Sequence, residues 1–246
     1  MKLKKYIPNL VTLGNLFCGV LATIYAVSDH FEATALCVVI GIVLDFFDGF
    51  FARLLKVTGE LGKQLDSLAD MVTSGVVPGI VMFKLLNSNL DITSNNNNFL
   101  LNGSLLGLIL TLGACYRLAK FNLDTRQTNS FIGMPTPAMC LFVISLPLIQ
   151  ENTNIAFVQI LLSNHYFLIT ITLLLTFLMN AEIHLFSLKF KEYSLTHNYG
   201  KYLFLLASIL MILFLNYISI PLIIILYIIV SVILNYEKNN DFVNNS

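Results

Sequence analysis

Four aspartates recur at helical spacing between Leu44 and Asp70: Asp45, Asp48, Asp66 and Asp70. The first two lie three residues apart and the last two lie four apart, so each pair can share one face of a helix. The segment between the pairs is long enough to fold the chain back and bring the four carboxylates together. Oxygen ligands without His or Cys favour a hard divalent cation, Mg²⁺ or Mn²⁺, and four carboxylates can share two such ions.

The rest of the sequence is strongly apolar. Of its 246 residues, 57% are hydrophobic and 11% are charged, with no net charge and a mean hydropathy of +0.78. A soluble domain has roughly a quarter charged residues, so this composition indicates an integral membrane protein and gives no basis for nucleic-acid binding. Carboxylates at membrane depth are costly, which indicates function. The alternative is an ion-pair network, but Arg53 and Lys63 are too few to neutralise four acids.

Apolar runs of about the length that crosses a bilayer recur along the chain. They predict eight helices, at 7–28, 33–55, 65–86, 99–119, 132–150, 158–180, 202–217 and 221–236. The sixth is open to a break between Ser163 and Tyr166, and a turn at Pro221 separates the last two. The fold class predicted is therefore an all-α membrane bundle in one domain, 1–236, followed by a short polar tail, 237–246.

Basic residues predict the orientation, because cytoplasmic connections are enriched in Lys and Arg. With eight spans, the basic groups fall on one side of the membrane, and only Lys84 lies near the outer side. Both termini and the aspartates are therefore predicted at the cytoplasmic face. The cysteines stand singly in apolar runs, which is typical of buried apolar residues rather than of disulfides or zinc ligands.

Small residues accompany the aspartates in a fixed pattern. The string Asp45-x2-Asp48-Gly49-x2-Ala52-Arg53-x8-Gly62-x3-Asp66-x3-Asp70 resembles, at every fixed position, the signature of the CDP-alcohol phosphatidyltransferase family. The resemblance implies a dinuclear metal site that holds the diphosphate of a CDP-activated lipid. An alcohol hydroxyl then attacks the phosphorus attached to the diacylglycerol and displaces CMP.

The resemblance also implies a role for each residue of the signature. The metal ligands implied are Asp45, Asp48, Asp66 and Asp70. Asp70 is also the implied general base, since a partly desolvated carboxylate beside metal ions can take a proton from a nearby hydroxyl. The residues implied to line the pocket for the CDP-lipid are Gly49, Ala52, Arg53 and Gly62.

Two further stretches bear on the acceptor alcohol. "YRLAKFN" (116–122) and "FIGMPTPA" (131–138) are similar to segments of the bacterial and archaeal phosphatidylserine synthases within the family, as are 7–19 and 177–190. This similarity implies CDP-diacylglycerol and L-serine as substrates, a bacterial inner membrane as the location, and a homodimer as one assembly. The chain departs from the usual pattern at Lys120, where Arg is common, and at Met134 and Thr136.

Several alternatives stay open at this point. Arg117 and Lys120 either hold the acceptor's carboxylate or a lipid phosphate, or serve only as topology anchors. Glycerol 3-phosphate or inositol phosphate can replace serine as acceptor within the same family. A cation transporter would predict acids at the midplane and an internal repeat, and a prenyltransferase would need a second Asp-rich motif. Asn9, Thr12 and Asn15 share one helical face and either contact the nucleotide or make interhelical hydrogen bonds.

Overall fold

The computed structural model describes residues 6–57, 59–88, 103–124, 131–185 and 199–244, without the side chains of 131, 199 and 234–244. The described chain is almost entirely helical. Its helices are α1 (Tyr6–Val27), α2 (Phe31–Leu54), α3 (Glu60–Asp70), α4 (Val77–Ser88), α5 (Ile109–Leu123), α6 (Thr136–Asn152), α7 (Ala156–Ser163), α8 (His165–Asn180), α9 (Tyr199–Leu215) and α10 (Ser219–Asn244). A π-helical segment, Met71–Val76, joins α3 to α4, and a 3-10 segment, Ser104–Leu108, leads into α5.

Five helical stretches in the described residues are long and apolar enough to cross a membrane: Tyr6–Val27, Phe31–Leu54, Glu60–Ser88, Ser104–Leu123 and Gly200–Ile233. The pair α7 and α8 adds a sixth if it counts as one span bent by 76°. The prediction of an all-helical membrane protein is therefore confirmed. The bend lies within the predicted break, where Asn164 caps α8 by accepting a hydrogen bond from the Phe167 amide at 3.1 Å.

The fifth helix begins later than predicted. The apolar pattern placed its start at residue 132, whereas α6 begins at Thr136. Residues Phe131–Ile132 form a short strand that pairs antiparallel with His184–Leu185. Gly133 follows with a φ of +76°, a backbone conformation that favours glycine and ends the regular structure before the helix. The early start was wrong because apolarity alone does not distinguish a buried strand and turn from the first turn of a helix.

The last two helices fold back on each other. The rings of Phe204 on α9 and Tyr227 on α10 lie 5.8 Å apart, whereas 23 residues of straight helix would separate them by about 35 Å. The turn between them is a 3-10 segment, Asn216–Ile218, in which Asn216 has a φ of +47°. The sequence placed this turn at Pro221, which instead lies in the first turn of α10. Proline is tolerated there because first-turn amides lack helical partners.

The most buried helix is α6, which contacts α2, α4, α8 and α10. Around it, the π-helical segment buries Thr73, Ser74 and Gly75, and α4 buries most of its residues. By contrast, α9 and α10 expose many large apolar side chains, as expected of helices that face lipid. The centre of the molecule therefore lies where α6 meets the helices that carry the aspartates.

Charged groups mark the end of the bundle opposite to the aspartates. Lys84 Nζ lies 2.8 Å from Asp29 Oδ2 and donates to the Val27 carbonyl at 3.0 Å, so the basic residue on the predicted outer side has local partners. Part of the predicted inner cluster of basic residues, including the groups near residues 2–5 and 189–191, lies outside the described residues. The predicted domain limits and the tail at 237–246 stay predictions.

Candidate active site

Three of the four aspartates converge between α2 and α3. One carboxylate oxygen from each of Asp45, Asp48 and Asp66 lies within 4.8 Å of the other two. Asp48 is buried, and Asp45 and Asp66 are half-buried. Like charges at this separation repel by about 1 kcal/mol per pair in water and by more in a less polar environment. The cluster is therefore unfavourable unless a cation or protons neutralise it.

The cluster is built by the periodicity of α2. Gly41 and Asp48 are buried on one face of the helix, with Asp45 half-buried between them, as expected if the two aspartates share one face. The opposite face exposes phenylalanines, for example Phe46 with 64% of its surface accessible. An apolar face toward lipid and a polar face toward protein fix the rotation of α2, and this rotation directs both carboxylates inward.

Asp70 lies one helical turn after Asp66 and has a protein donor of its own. Asn15 on α1 donates from Nδ2 to Asp70 Oδ1 at 3.1 Å. Thr73 donates in turn to Asn15 Oδ1 at 2.8 Å, which fixes the orientation of the amide. Asp70 is outside the group of three but close enough to interact electrostatically with Asp45, Asp48 and Asp66. The four predicted ligands are thus neighbours, with Asp70 held separately.

Helix α1 supplies the other donor to the cluster. The Thr12 hydroxyl lies in very close hydrogen-bond contact with Asp48 Oδ2 and is also near the Pro8 carbonyl. Thr12 and Asn15 are buried. The sequence left two interpretations for this face of α1, contact with the nucleotide or interhelical hydrogen bonds. The structure has interhelical hydrogen bonds, from Thr12 to Asp48 and from Asn15 to Asp70. Second-layer donors of this kind orient ligating carboxylates.

The helix that carries Asp66 and Asp70 changes its winding directly after them. Residues Met71–Val76 are π-helical, and the Thr73 and Gly75 carbonyls accept hydrogen bonds from Cys140 and Thr111 on neighbouring helices. A π segment inserts a residue into the regular winding and often occurs at functional sites. Here it places Thr73 next to Asn15, so that the amide that donates to Asp70 is itself held by a hydrogen bond from Thr73.

The carboxylates fit a divalent cation. Asp66 Oδ1 is buried and has no hydrogen-bond partner among the described residues, so this oxygen is available as a ligand. The donor set is oxygen only, which suits Mg²⁺ or Mn²⁺. A buried carboxylate oxygen without a donor is costly unless a cation binds it. The arrangement therefore supports the predicted metal site.

The glycines of α2 and α3 near the carboxylates fall into two classes. A Cβ on Gly41 would lie 2.9 Å from Thr73 Cγ2 and 3.0 Å from Asn15 Oδ1, so this glycine is required by the close contact of α1, α2 and the π segment. A Cβ on Gly49 would meet only the Arg53 guanidinium, at 3.9 Å, and one on Gly62 would meet Asn9 Oδ1 at 3.5 Å. Protein packing among the described residues therefore does not require glycine at 49 or 62, which leaves room for a ligand.

Arg53 and Ala52 lie beside Gly49 at the end of α2. The Arg53 side chain is exposed and Ala52 is half-exposed. A Cβ on Gly49 would lie 3.9 Å from the Arg53 guanidinium, so these two residues are neighbours on α2. The CDP-lipid pocket at Gly49, Ala52, Arg53 and Gly62 stays a prediction.

Arg117 and Lys120 line a narrow pocket at the end of α5, together with Ile132 of the short strand and residues at the end of α8. Arg117 is only 8% exposed, its Cζ lies 5.9 Å from the Phe121 ring centroid, and it interacts electrostatically with Asp70. Lys120 is more exposed, and its Nζ lies 3.6 Å from Glu182 Oε1. The two predicted acceptor residues therefore differ: Arg117 is directed inward and Lys120 lies at the rim.

Two residues at this end of the bundle had no role in the sequence interpretation. Thr73 holds Asn15, and Asn180 lines the Arg117 pocket with a buried Oδ1. The π-helical winding places Thr73, and no periodicity rule indicates that winding. The only signal for Asn180 was its place in the segment 177–190, which is polar at the end of an apolar run.

Comparison with known proteins identifies the family. The profile of the family described as CDP-alcohol phosphatidyltransferase matches residues 5–178. The chain is 36% identical over 142 residues to a CDP-diacylglycerol--serine O-phosphatidyltransferase of Bacillus subtilis, covering 57% of this chain and 75% of that protein.

Two more distant relatives extend this comparison. A protein of the same name from Helicobacter pylori is 33% identical over 59% of this chain and 58% of its own length. An archaetidylserine synthase of Methanothermobacter thermautotrophicus is 26% identical over 64% of this chain and 65% of its own. The aligned region thus spans less than two thirds of these two relatives. Because the family profile covers well over half of the sequence, including all four aspartates, the chain belongs to the CDP-alcohol phosphatidyltransferase family.

Proposed function

We propose that this protein transfers a phosphatidyl group from CDP-diacylglycerol to the hydroxyl of L-serine, giving phosphatidylserine and CMP in phospholipid biosynthesis. The observation that carries the proposal is the cluster of Asp45, Asp48 and Asp66 in a member of this family. The names of the relatives from B. subtilis and H. pylori support serine as the acceptor. Membership of the CDP-alcohol phosphatidyltransferase family disfavours the transporter and prenyltransferase alternatives.

The aspartates have two roles in this proposal. Asp45, Asp48, Asp66 and Asp70 would hold Mg²⁺ or Mn²⁺, with two ions shared among them. When bound, the metal supplies positive charge that offsets the diphosphate and the departing CMP phosphate. Thr12 keeps Asp48 in place by its hydrogen bond, so this carboxylate is already oriented before substrate binds. Such preorganisation lowers the cost of assembling the site.

Asp70 is the proposed general base. The serine Oγ forms a bond to the phosphorus attached to diacylglycerol, and the bond from that phosphorus to the CMP oxygen breaks. Its electron pair leaves with CMP, and the serine hydroxyl proton passes to the Asp70 carboxylate and then to solvent. Asn15 holds Asp70 Oδ1, which leaves the other carboxylate oxygen to face the hydroxyl.

The CDP-lipid pocket is the open surface beside Gly49 and Gly62. No close contact among the described residues forbids a Cβ at Gly49. We therefore infer that glycine is needed there because it lets the nucleotide approach the α2 backbone. Arg53 extends over the same glycine and would bind a phosphate oxygen. Ala52 leaves the adjacent turn similarly free of bulk.

Eight spans with cytoplasmic termini are part of the proposal. Three features extend the five observed stretches to eight spans. Helix α6 has 17 residues and a centre that is apolar except for Ser145, α7 and α8 together form a bent span, and α9 and α10 are two helices that fold back on each other. The aspartates then lie at the cytoplasmic face, near Lys56 and Lys63. A bacterial inner membrane fits the organisms of several relatives. The homodimer stays a prediction.

In the test, the purified protein is placed in lipid nanodiscs and incubated with CDP-diacylglycerol, Mn²⁺ or Mg²⁺, and one acceptor at a time. The acceptors are L-serine, glycerol 3-phosphate and inositol phosphate, and the readouts are CMP release and the mass of the lipid product. We expect CMP and phosphatidylserine with serine alone. Product from glycerol 3-phosphate but not from serine would contradict the assignment while leaving the reaction class intact. A chelator added before the substrates should stop the reaction.

A further inference from the structure

Two of the residues that line the pocket at the end of α5 each have a buried polar atom without a partner among the described residues. Its lining includes Arg117 from α5 and Asn180 from the last turn of α8. Arg117 Nε and Asn180 Oδ1 are both inaccessible to solvent and have no hydrogen-bond partner among the described residues. One is a donor and the other an acceptor. A buried polar atom without a partner is costly, so a pocket that holds one of each is suited to a ligand that supplies both.

The orientation of the Asn180 amide follows from its other contacts. Its Nδ2 donates to the Thr176 carbonyl at 3.0 Å and to the Gly113 carbonyl at 3.3 Å. Both amide hydrogens are therefore used, and exchanging the nitrogen with the oxygen would place Oδ1 against two carbonyl oxygens. Asn180 Oδ1 is consequently fixed as an acceptor. No described residue donates to this oxygen, so a donor that enters the pocket would satisfy it.

The contact between α5 and α8 places Asn180 near Arg117. A Cβ on Gly113 would lie 2.6 Å from Thr176 Cγ2, so glycine is what lets the two helices approach and the amide reach the Gly113 carbonyl. Arg117 lies one helical turn further along α5 than Gly113, and residues at this spacing are neighbours on the helix surface. The acceptor on α8 and the guanidinium on α5 thus belong to one pocket, close to Asp70.

We infer that this pocket recognises the zwitterionic end of the acceptor amino alcohol, with Arg117 binding the α-carboxylate and Asn180 Oδ1 accepting a hydrogen bond from the α-ammonium group. The inference rests on the proposed function and extends it, because it assigns the choice of serine to Asn180. Glycerol 3-phosphate and inositol phosphate have no ammonium group and can offer Asn180 Oδ1 only an uncharged hydroxyl, which is a weaker donor. A site built to bond a substrate group rejects analogues that lack it.

Glu182 is the competing candidate for the ammonium group. It is an exposed carboxylate two residues after Asn180, and its Oε1 lies 3.6 Å from Lys120 Nζ. A carboxylate at the rim would attract a cation at long range, but Glu182 does not line the pocket that Arg117 and Asn180 share. The two residues can therefore be separated by substitution.

The experiment compares Asn180→Ala with two controls in the full-length protein. Thr176→Ala alters the same contact between α5 and α8 but leaves the pocket oxygen in place, and Glu182→Gln removes the rim carboxylate. We expect Asn180→Ala to raise the KM for serine by about 10- to 100-fold, the loss typical of a hydrogen bond to a charged group. The KM for CDP-diacylglycerol should stay within about twofold, which a general loss of structure would not allow. Both controls should keep the KM for serine.

A comparison of two acceptors in the wild-type protein provides a second measurement, which does not depend on the folding of any variant. Wild-type protein should use 3-hydroxypropanoate, which is serine without its ammonium group, at least about tenfold less efficiently than serine. Asn180→Ala should lose most of this discrimination. An unchanged KM for serine in Asn180→Ala, a larger effect from Glu182→Gln, or equal use of both acceptors by the wild type would overturn the inference. If the wild type does not use serine at all, the proposed function itself fails first.

Discussion

Asn15 on α1 holds Asp70 on α3 by a hydrogen bond of 3.1 Å from Nδ2 to Oδ1. Thr73, from the π-helical segment that follows Asp70, donates to the oxygen of the same amide at 2.8 Å. The proposed base is therefore connected to two other parts of the bundle through one buried amide. This connection makes α1 part of the site, although the helix has no Asp, Glu, Lys, Arg or His.

Replacing Asn15 should impair the chemical step more than substrate binding. Asn15→Ala removes the donor to Asp70, and a hydrogen bond to a charged group typically contributes about 1.5–3 kcal/mol. We expect kcat to fall by about 10- to 100-fold, with a smaller change in the KM for CDP-diacylglycerol. Steady-state kinetics of CMP release measure both constants. Thr23→Val is the control on the same helix, since the Thr23 hydroxyl donates to the Gly19 carbonyl of α1 and to no other helix among the described residues. An equal loss of kcat in Thr23→Val would contradict the role of Asn15.

Replacing Asp66 should remove both turnover and metal binding. Asp66→Asn replaces a half-buried carboxylate whose buried Oδ1 has no partner among the described residues, so the charge that attracts the cation decreases. We expect no detectable CMP release and a Mn²⁺ affinity lower by at least about tenfold. Electron paramagnetic resonance of free Mn²⁺ measures the affinity without substrate. Asp29→Asn, at the opposite end of the bundle beside Lys84, should leave both properties unchanged. Full Mn²⁺ affinity in Asp66→Asn would argue against a ligand role.

The sequence predicted those parts of the site that depend on helical periodicity. Spacing on α2 was enough to place Asp45 and Asp48 on one inward face, because an amphipathic helix in a bilayer has only one favourable rotation. The separate environment of Asp70 was not predictable, since it depends on the π-helical winding after Asp70 and on the tertiary contact with Asn15. The late start of α6 and the turn at Asn216 depend on backbone conformations that hydropathy does not encode.

The number and direction of the spans can be tested by labelling single cysteines in intact cells. The native cysteines are all free, and Cys140 donates to the Thr73 carbonyl, so Cys140→Ser with Ala at the other three gives a suitable background. Tyr217→Cys, in the turn between α9 and α10, should react with an impermeant maleimide added outside. Lys56→Cys, beside the aspartates, should react only after the cells are opened. Labelling of both positions from the same side would exclude the eight-span arrangement.

The two classes of glycine on α2 should respond differently to the same substitution. Gly41→Ala places a methyl group 2.9 Å from Thr73 Cγ2 and 3.0 Å from Asn15 Oδ1, so the helices must separate. Overpacking of this kind costs about 1–3 kcal/mol, and we expect a lower melting temperature together with a lower kcat. Gly49→Ala meets no atom closer than 3.9 Å among the described residues, and we expect an unchanged melting temperature but a KM for CDP-diacylglycerol raised by at least about tenfold. Thermal unfolding in nanodiscs and steady-state kinetics distinguish the two results. A normal KM in Gly49→Ala would show that the nucleotide does not approach this turn of α2, and a lower melting temperature would assign Gly49 to packing instead.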